Sequence, residues 1–272
     1  APGFIANGRV FEQMKNTSSA EAVWKFLDGI TICECEGLVE AVLCAALIDV
    51  CGAPVFDLLA QLGYGVAAFD MPGVGGTEEP RAPLTLADYC AFTLDFCREM
   101  GLESVLLMGH SHGGRVALSL LEDPACPVRF PRAILMDAAG VRLPASAGQK
   151  GRQTAYKLLK TLGTSKLTAP LFGDLYEQER DKRSSADYRA ATPVMRETMK
   201  NVLPCDLREH MPDITAQVLL IWGENDTATP LSHGRIMEER IPGAGLAVIR
   251  GAGHFCFADN WPQFSAVMRA FL

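Results

Sequence analysis

The sequence predicts an α/β fold in which a parallel sheet is covered by helices on both faces. Three observations carry this. Short apolar runs alternate with helical segments along most of the 272 residues. The runs are continuous rather than alternating, as expected of strands buried on both sides. The alternation is interrupted in one stretch only, from about residue 146 to 202, where helix-like sequence replaces it.

The elements follow in order. "AVWKFLDGITICECEG" places two strand-forming runs around Asp28-Gly29, the favoured pair for a tight hairpin turn. "VLCAALIDV", Val42 to Val50, reads as one buried strand, and "VFDLLAQLGY" as a short amphipathic helix ended by Gly63. "GVAAFD" is a strand and "MPGVGGTEEP" a glycine-rich loop. "TLADYCAFTLDFCREMGL" is a helix with Thr85 as N-cap and Gly101 as stop. "SVLLMG" is a strand, "GGRVALSLLED" a helix, and "AILMDAAG", "QVLLIWGEND" and "LAVIRGAGH" are three further strands. "WPQFSAVMRAFL" closes the chain as a helix.

The interruption divides the chain into a core, 1–145 and 203–272, and an inserted helical cap, 146–202. The insertion holds eleven Lys/Arg against six Asp/Glu, a net of +5 in a chain whose total is −7. A solvated helical surface explains that balance; a basic face toward an anionic substrate explains it too.

An acidic balance, with a pI near 5.3, excludes a general nucleic-acid binder, which needs a basic face. Nine cysteines, an odd number without a C-x-x-C pair, speak for a reducing cytoplasm and against a disulfide framework or a zinc site. No apolar stretch reaches the roughly 20 residues of a membrane span, and the first residues lack the pattern of a signal peptide.

The chemistry is concentrated in "VLLMGHSHGG", Val105 to Gly114. A G-x-S-x-G pattern alone arises by chance in roughly one such chain in ten. Here it follows a buried strand and opens a helix, the setting that holds a serine on a strained turn with its hydroxyl clear of the sheet. Ser111 is therefore the candidate nucleophile. Gly109, Gly113 and Gly114 leave room where strand and helix approach. The N–H of His112, just after the serine, is a candidate oxyanion donor.

Serine needs a base held by an acid. "LLIWGENDTATP" puts Asp226 after one strand and "LAVIRGAGHFCFAD" puts His254 after the next, and the order Ser, Asp, His is the one that goes with this turn. Asp137, after "AILM", is an alternative acid. Glu224 reads as a loop residue, His110 as packed under the turn, His210 and His233 as surface residues, and Asp70 as turn chemistry.

Together, the Asp28-Gly29 hairpin, "FDMPGVGGT", "GHSHGG", "WGENDTATP" and "GAGHFCFADNWPQF" resemble the α/β-hydrolase fold family, and in particular its lidded serine esterase and lipase-like branch. The resemblance implies a mostly parallel, eight-stranded sheet with an inserted cap, a Ser-His-Asp triad, and neither cofactor nor metal. The chain departs from the family after the third strand. Relatives carry a His-Gly pair there, and the residue that follows it donates the second oxyanion N–H. Here the stretch reads "ALIDVCGAP", so the donor is Cys51 when aligned through "GAP" and Ala53 when aligned through "CG".

The expected function is hydrolysis of a small or medium carboxylic ester through an acyl-enzyme, with a small-molecule substrate as the partner. A carbon–carbon bond hydrolase or thioesterase uses the same three residues, and a non-catalytic binding protein fits the missing His-Gly.

Overall fold

A computed structural model describes residues 22–27, 30–35, 41–45, 48–75, 77–144, 147–183 and 186–272. The turn expected at Asp28-Gly29 and the first 21 residues lie outside them.

Strands β1 (Ala22–Leu27) and β2 (Ile30–Cys35) pair antiparallel, with Leu27 opposite Ile30. Then come β3 (Ala41–Ala45), α1 (Ile48–Gln61), β4 (Gly65–Phe69), α2 (Leu86–Glu99), β5 (Leu106–His110), α3 (His112–Leu121) and β6 (Arg132–Met136). Four helices follow before the sheet resumes: α4 (Ala147–Thr164), α5 (Ala169–Arg183), α6 (Ala186–Ala190) and α7 (Pro193–Val202). The chain ends with β7 (Gln217–Gly223), α8 (Leu231–Arg240), β8 (Gly245–Ile249), α9 (Cys256–Asp259) and α10 (Trp261–Phe271).

The sheet has eight strands in the order β1-β2-β4-β3-β5-β6-β7-β8. β2 alone runs against the direction of the other seven strands; every pair from β4 onward through the sheet is parallel. From β3 the chain winds outward to β4, then crosses back to β5 on the other side of β3. The carboxyl ends of β3 and β5 therefore flank the switch point where a crevice opens.

Alternate residues of each central strand face opposite layers, as the period of two requires. Leu107, Leu135, Leu220 and Trp222 pack with Phe96 of α2, Leu118 of α3 and Met237 of α8. Leu106, Met108, Ile134, Met136 and Ile221 pack with Leu58 and Leu59 of α1 and Phe264 and Met268 of α10. Burial of each such side chain contributes about 1.5–3 kcal/mol, so the residues that carry the site rest on a stiff platform.

One expected boundary moves. The run Val42–Val50 is not a single strand: β3 stops at Ala45 and Ile48 already belongs to α1. An apolar run by itself does not say where a buried strand gives way to a buried helix. Helix α8, rich in charged residues, has no counterpart in the sequence reading. At α2 the expectation holds: Thr85 and Asp88 form a reciprocal capping box, and Gly101, at φ 66°, ends the helix in a conformation costly to other residues.

The inserted helices are tied to the core through α7. Thr198 Oγ1 accepts from the Leu84 N–H at 2.9 Å, Asn201 Nδ2 donates to the Leu84 carbonyl at 3.1 Å, and Met195 lies against Gly73. Helices α4 and α5 pack on each other through Gly163, Tyr156 and Tyr176. The apolar residues of "KLLKTLG" and "LTAPLFGDLY" divide between that contact and solvent: Leu158 and Leu171 are exposed. Among the described residues, no helix is long and apolar enough to cross a membrane.

Candidate active site

Ser111 stands between the last residue of β5 and the first of α3, with φ 50° and ψ −113°. A non-glycine residue there costs on the order of 1–3 kcal/mol and persists only where its surroundings over-determine it. They do. The Ser111 N–H donates to the Met136 carbonyl at 3.1 Å, and its carbonyl accepts from Ala139 N at 2.9 Å and Arg115 N at 3.2 Å. The glycines that permit the turn are Gly109 and Gly114. A Cβ on Gly109 would come 2.6 Å from the Gly113 carbonyl oxygen, and one on Gly114 would overlap the Cβ of Ala138.

His254 follows β8 and Asp226 follows β7, and the parallel register brings both to the sheet edge beside Ser111. The His254 Nε2 lies 3.0 Å from Ser111 Oγ, and its Nδ1 lies 2.8 Å from Asp226 Oδ2. A carboxylate only accepts, so Nδ1 carries the hydrogen and Nε2 presents its lone pair to the hydroxyl. Asp226 is buried, yet its carboxyl sits below the usual carboxylate range. Burial pushes it up; hydrogen bonds from His254 and from the Thr229 hydroxyl and N–H outweigh that. Its Oδ1 also accepts from Ala228 N at 2.7 Å.

The other residues singled out from sequence fall as follows. Asp137 is fully buried, and its carboxylate is held by backbone N–H groups. Its Oδ1 accepts from Gly223 N at 2.7 Å and its Oδ2 from Cys256 N at 3.3 Å, so it joins the turn leading to Asp226 with the turn that follows His254. Burial raises its carboxyl to about 6, although Cys256 and Gly223 pull it back. His110 lies beneath His254, with the rings 4.9 Å apart, and its Nε2–H donates to the His254 carbonyl at 2.7 Å. Burial depresses it to about 4, so it is neutral at pH 7. His112 opens α3, so its N–H is among those a helix leaves without an internal acceptor. Its ring stands edge-on to Tyr89 at 4.7 Å and is likewise depressed to about 4, by burial and then by Arg115.

Glu224 is a loop residue, accepting from Gly251 N at 2.9 Å, and His210 is exposed. Asp70 lies in a turn, its carbonyl accepting from the Thr77 hydroxyl at 2.8 Å. His233 departs from its reading: it is half-buried, with Nδ1 enclosed and unpartnered. Cys51 is the fourth residue of α1 and Ala53 the sixth.

Two contributors escaped the sequence reading. Thr229 sets its hydroxyl 2.6 Å from Asp226 Oδ2 and 2.9 Å from the Asp137 carbonyl; the N-D-T-A-T spacing, an Asp with a Thr three residues on, was the available signal. Phe255, an exposed side chain, places its ring 5.4 Å from the His254 ring. Among the described residues no group of three His, Cys, Asp or Glu side chains is disposed to hold a metal ion.

Comparison with known proteins gives three kinds of match. A family model described as "alpha/beta hydrolase fold" matches residues 43–260. A 2-hydroxymuconate semialdehyde hydrolase of Pseudomonas putida is 27% identical over 219 residues, covering 76% of each chain. Among solved structures, a bromoperoxidase from Bacillus anthracis superposes with a TM-score of 0.64 at 18% identity, covering 92% of this chain and 96% of that one. An esterase from Exiguobacterium antarcticum gives 0.60 at 22% identity, with the same coverage.

Proposed function

Since the chain belongs to the α/β-hydrolase fold family, we propose that it is a serine hydrolase cleaving a carboxylic ester of a small or medium acyl group through an acyl-enzyme. One observation carries the reading: the unbroken path from Ser111 Oγ to His254 Nε2 and from His254 Nδ1 to Asp226, with lengths of 3.0 and 2.8 Å.

The steps follow from that path. Ser111 Oγ attacks the ester carbonyl as His254 Nε2 takes its proton. Asp226 holds the imidazole in the required tautomer and stabilises its positive form. The oxygen of the tetrahedral intermediate meets the His112 N–H at the positive end of α3. His254 then passes the proton to the departing alcohol, and water, activated by the same imidazole, releases the acid. For the second oxyanion donor we assign the β3–α1 junction. Cys51, the fourth residue of α1, lies nearer than Ala53, the sixth, to the N–H groups that the start of the helix leaves without an internal acceptor, which favours Cys51. The inserted helices 146–202 act as the cap over the acyl site.

A second reading rests on the Pseudomonas putida relative, whose name denotes a hydrolase of a muconate semialdehyde. The same residues would then assist cleavage of a carbon–carbon bond. A fluorophosphonate probe tests what the two readings share, and a panel of 4-nitrophenyl esters tests the first. Labelling of Ser111, lost in Ser111→Ala, together with ester turnover supports the esterase. Labelling without turnover of any ester moves the assignment to the carbon–carbon hydrolase. A folded protein that resists the probe refutes both.

A further inference from the structure

Arg115 presents an unusual electrostatic situation. It is 7% exposed, its Nε is buried without a hydrogen-bond partner, and no carboxylate pairs with its guanidinium among the described residues. A guanidinium stays charged in proteins and carries five donors. Enclosing it without a counterion costs several kcal/mol, an arrangement that makes sense when an anion arrives from outside.

Its place in the helix says where that anion would lie. Arg115 follows Ser111 by four residues and His112 by three, so the three share one face of the first turns of α3. Side chains in a helix lean toward its N-terminus. Four residues rise about 6 Å along the axis, a distance an extended arginine spans, so its head reaches back toward the level of Ser111. The electrostatics agree: after burial, Arg115 is the group that depresses the His112 ring, and the Cys205 side chain, just beyond α7, lies within reach of the guanidinium. The guanidinium thus lies between the turn holding Ser111 and the segment returning from the inserted helices, whose own balance is +5.

We propose that Arg115 is the specificity residue of this site and receives an anionic group, a carboxylate, carried by the acyl part of the substrate. The proposal rests on the serine-hydrolase reading for the place of the acyl group. A bidentate guanidinium–carboxylate pair in a dry site discriminates strongly against the neutral analogue, because the neutral ligand leaves the buried donors unpaired.

The test compares two esters of nearly equal shape, 4-nitrophenyl hemisuccinate and 4-nitrophenyl butyrate. The wild type should prefer the hemisuccinate by at least about tenfold in kcat/KM. Arg115→Met should bring that ratio to about one, and Arg115→Lys should restore part of it. A wild type without preference, or an Arg115→Met variant that keeps it, overturns the proposal. Two further measurements need no variant that might misfold. Succinate should protect Ser111 of the wild type from a fluorophosphonate at concentrations where succinamide does not; equal protection overturns the proposal. Succinate should also raise the Tm of the wild type more than succinamide does. If Ser111 fails to label, the hydrolase reading falls while this thermal shift still decides whether Arg115 holds an anion.

Discussion

Asp137→Asn separates what a buried charge does for the site from what it does for stability. In the wild type each carboxylate oxygen takes one N–H, from Gly223 at 2.7 Å and from Cys256 at 3.3 Å. Asparagine offers one acceptor and turns an amide NH2 toward the other N–H. The two turns that carry Asp226 and His254 then lose their shared anchor. Displacement of a reacting group by about 1 Å costs on the order of a hundredfold in rate, so kcat should fall by about ten- to a hundredfold. Stability should not follow. Burial raises the Asp137 carboxyl from 3.8 to about 6, a penalty on the charged form of about 3 kcal/mol at about 1.4 kcal/mol per unit. The neutral amide removes it. The sign is that of a raised carboxylate: the folded state binds more protons than the unfolded between about pH 4 and 6, so the wild type loses stability as pH rises through that window. The variant lacks that slope, so at pH 7.5 its Tm should equal or exceed that of the wild type, and the advantage should vanish toward pH 4. Thermal melts from pH 4 to 8 beside kcat for a 4-nitrophenyl ester measure both. A variant with full kcat, or one whose Tm at pH 7.5 falls by more than about 5 °C, refutes the reasoning.

The other predictions concern neighbouring groups. Asp226→Asn should lower kcat by about a thousandfold or more, because the imidazole loses its tautomer-fixing acceptor; a tenfold loss would show that Thr229 or Asp137 takes over. His110, held neutral with its value depressed from 6.5 to about 4, contributes stability that is present above pH 6.5 and lost as pH falls toward 4; His110→Gln should flatten that acid limb, and an unchanged limb contradicts the assignment. Gly114→Val should either fail to fold or lose about 1–3 kcal/mol by pushing α3 off Ala138; urea melts decide. Thr85→Ala should cost about 1 kcal/mol by removing the cap of α2 while leaving kcat unchanged.

Most of this architecture was legible because its signals are local. Continuous apolar runs named the strands, and a strand running into G-x-S-x-G named Ser111. Asp226 and His254 were found because each follows a strand whose partners in a parallel sheet end at the same edge. What stayed hidden depends on contacts between distant segments. Val42–Val50 is equally apolar in strand and helix, so the end of β3 could not be read. Asp137 looked like a rival acid until its two N–H donors, 86 and 119 residues away, were visible. His233 sits in a charged helix whose sequence advertises the surface, and only packing shows that one of its nitrogens is enclosed. The isolation of Arg115 is a property of everything around it, and no local pattern announces it.

The central claim is that a single hydroxyl becomes acylated. Intact-protein and peptide mass spectrometry, after rapid mixing with 4-nitrophenyl acetate and acid quench, tests it directly. The account predicts one acetyl group per chain, carried on Ser111 and accumulating in His254→Ala only at a greatly reduced rate. Release of nitrophenol with no adduct, or an adduct on another residue that persists in Ser111→Ala, would contradict it.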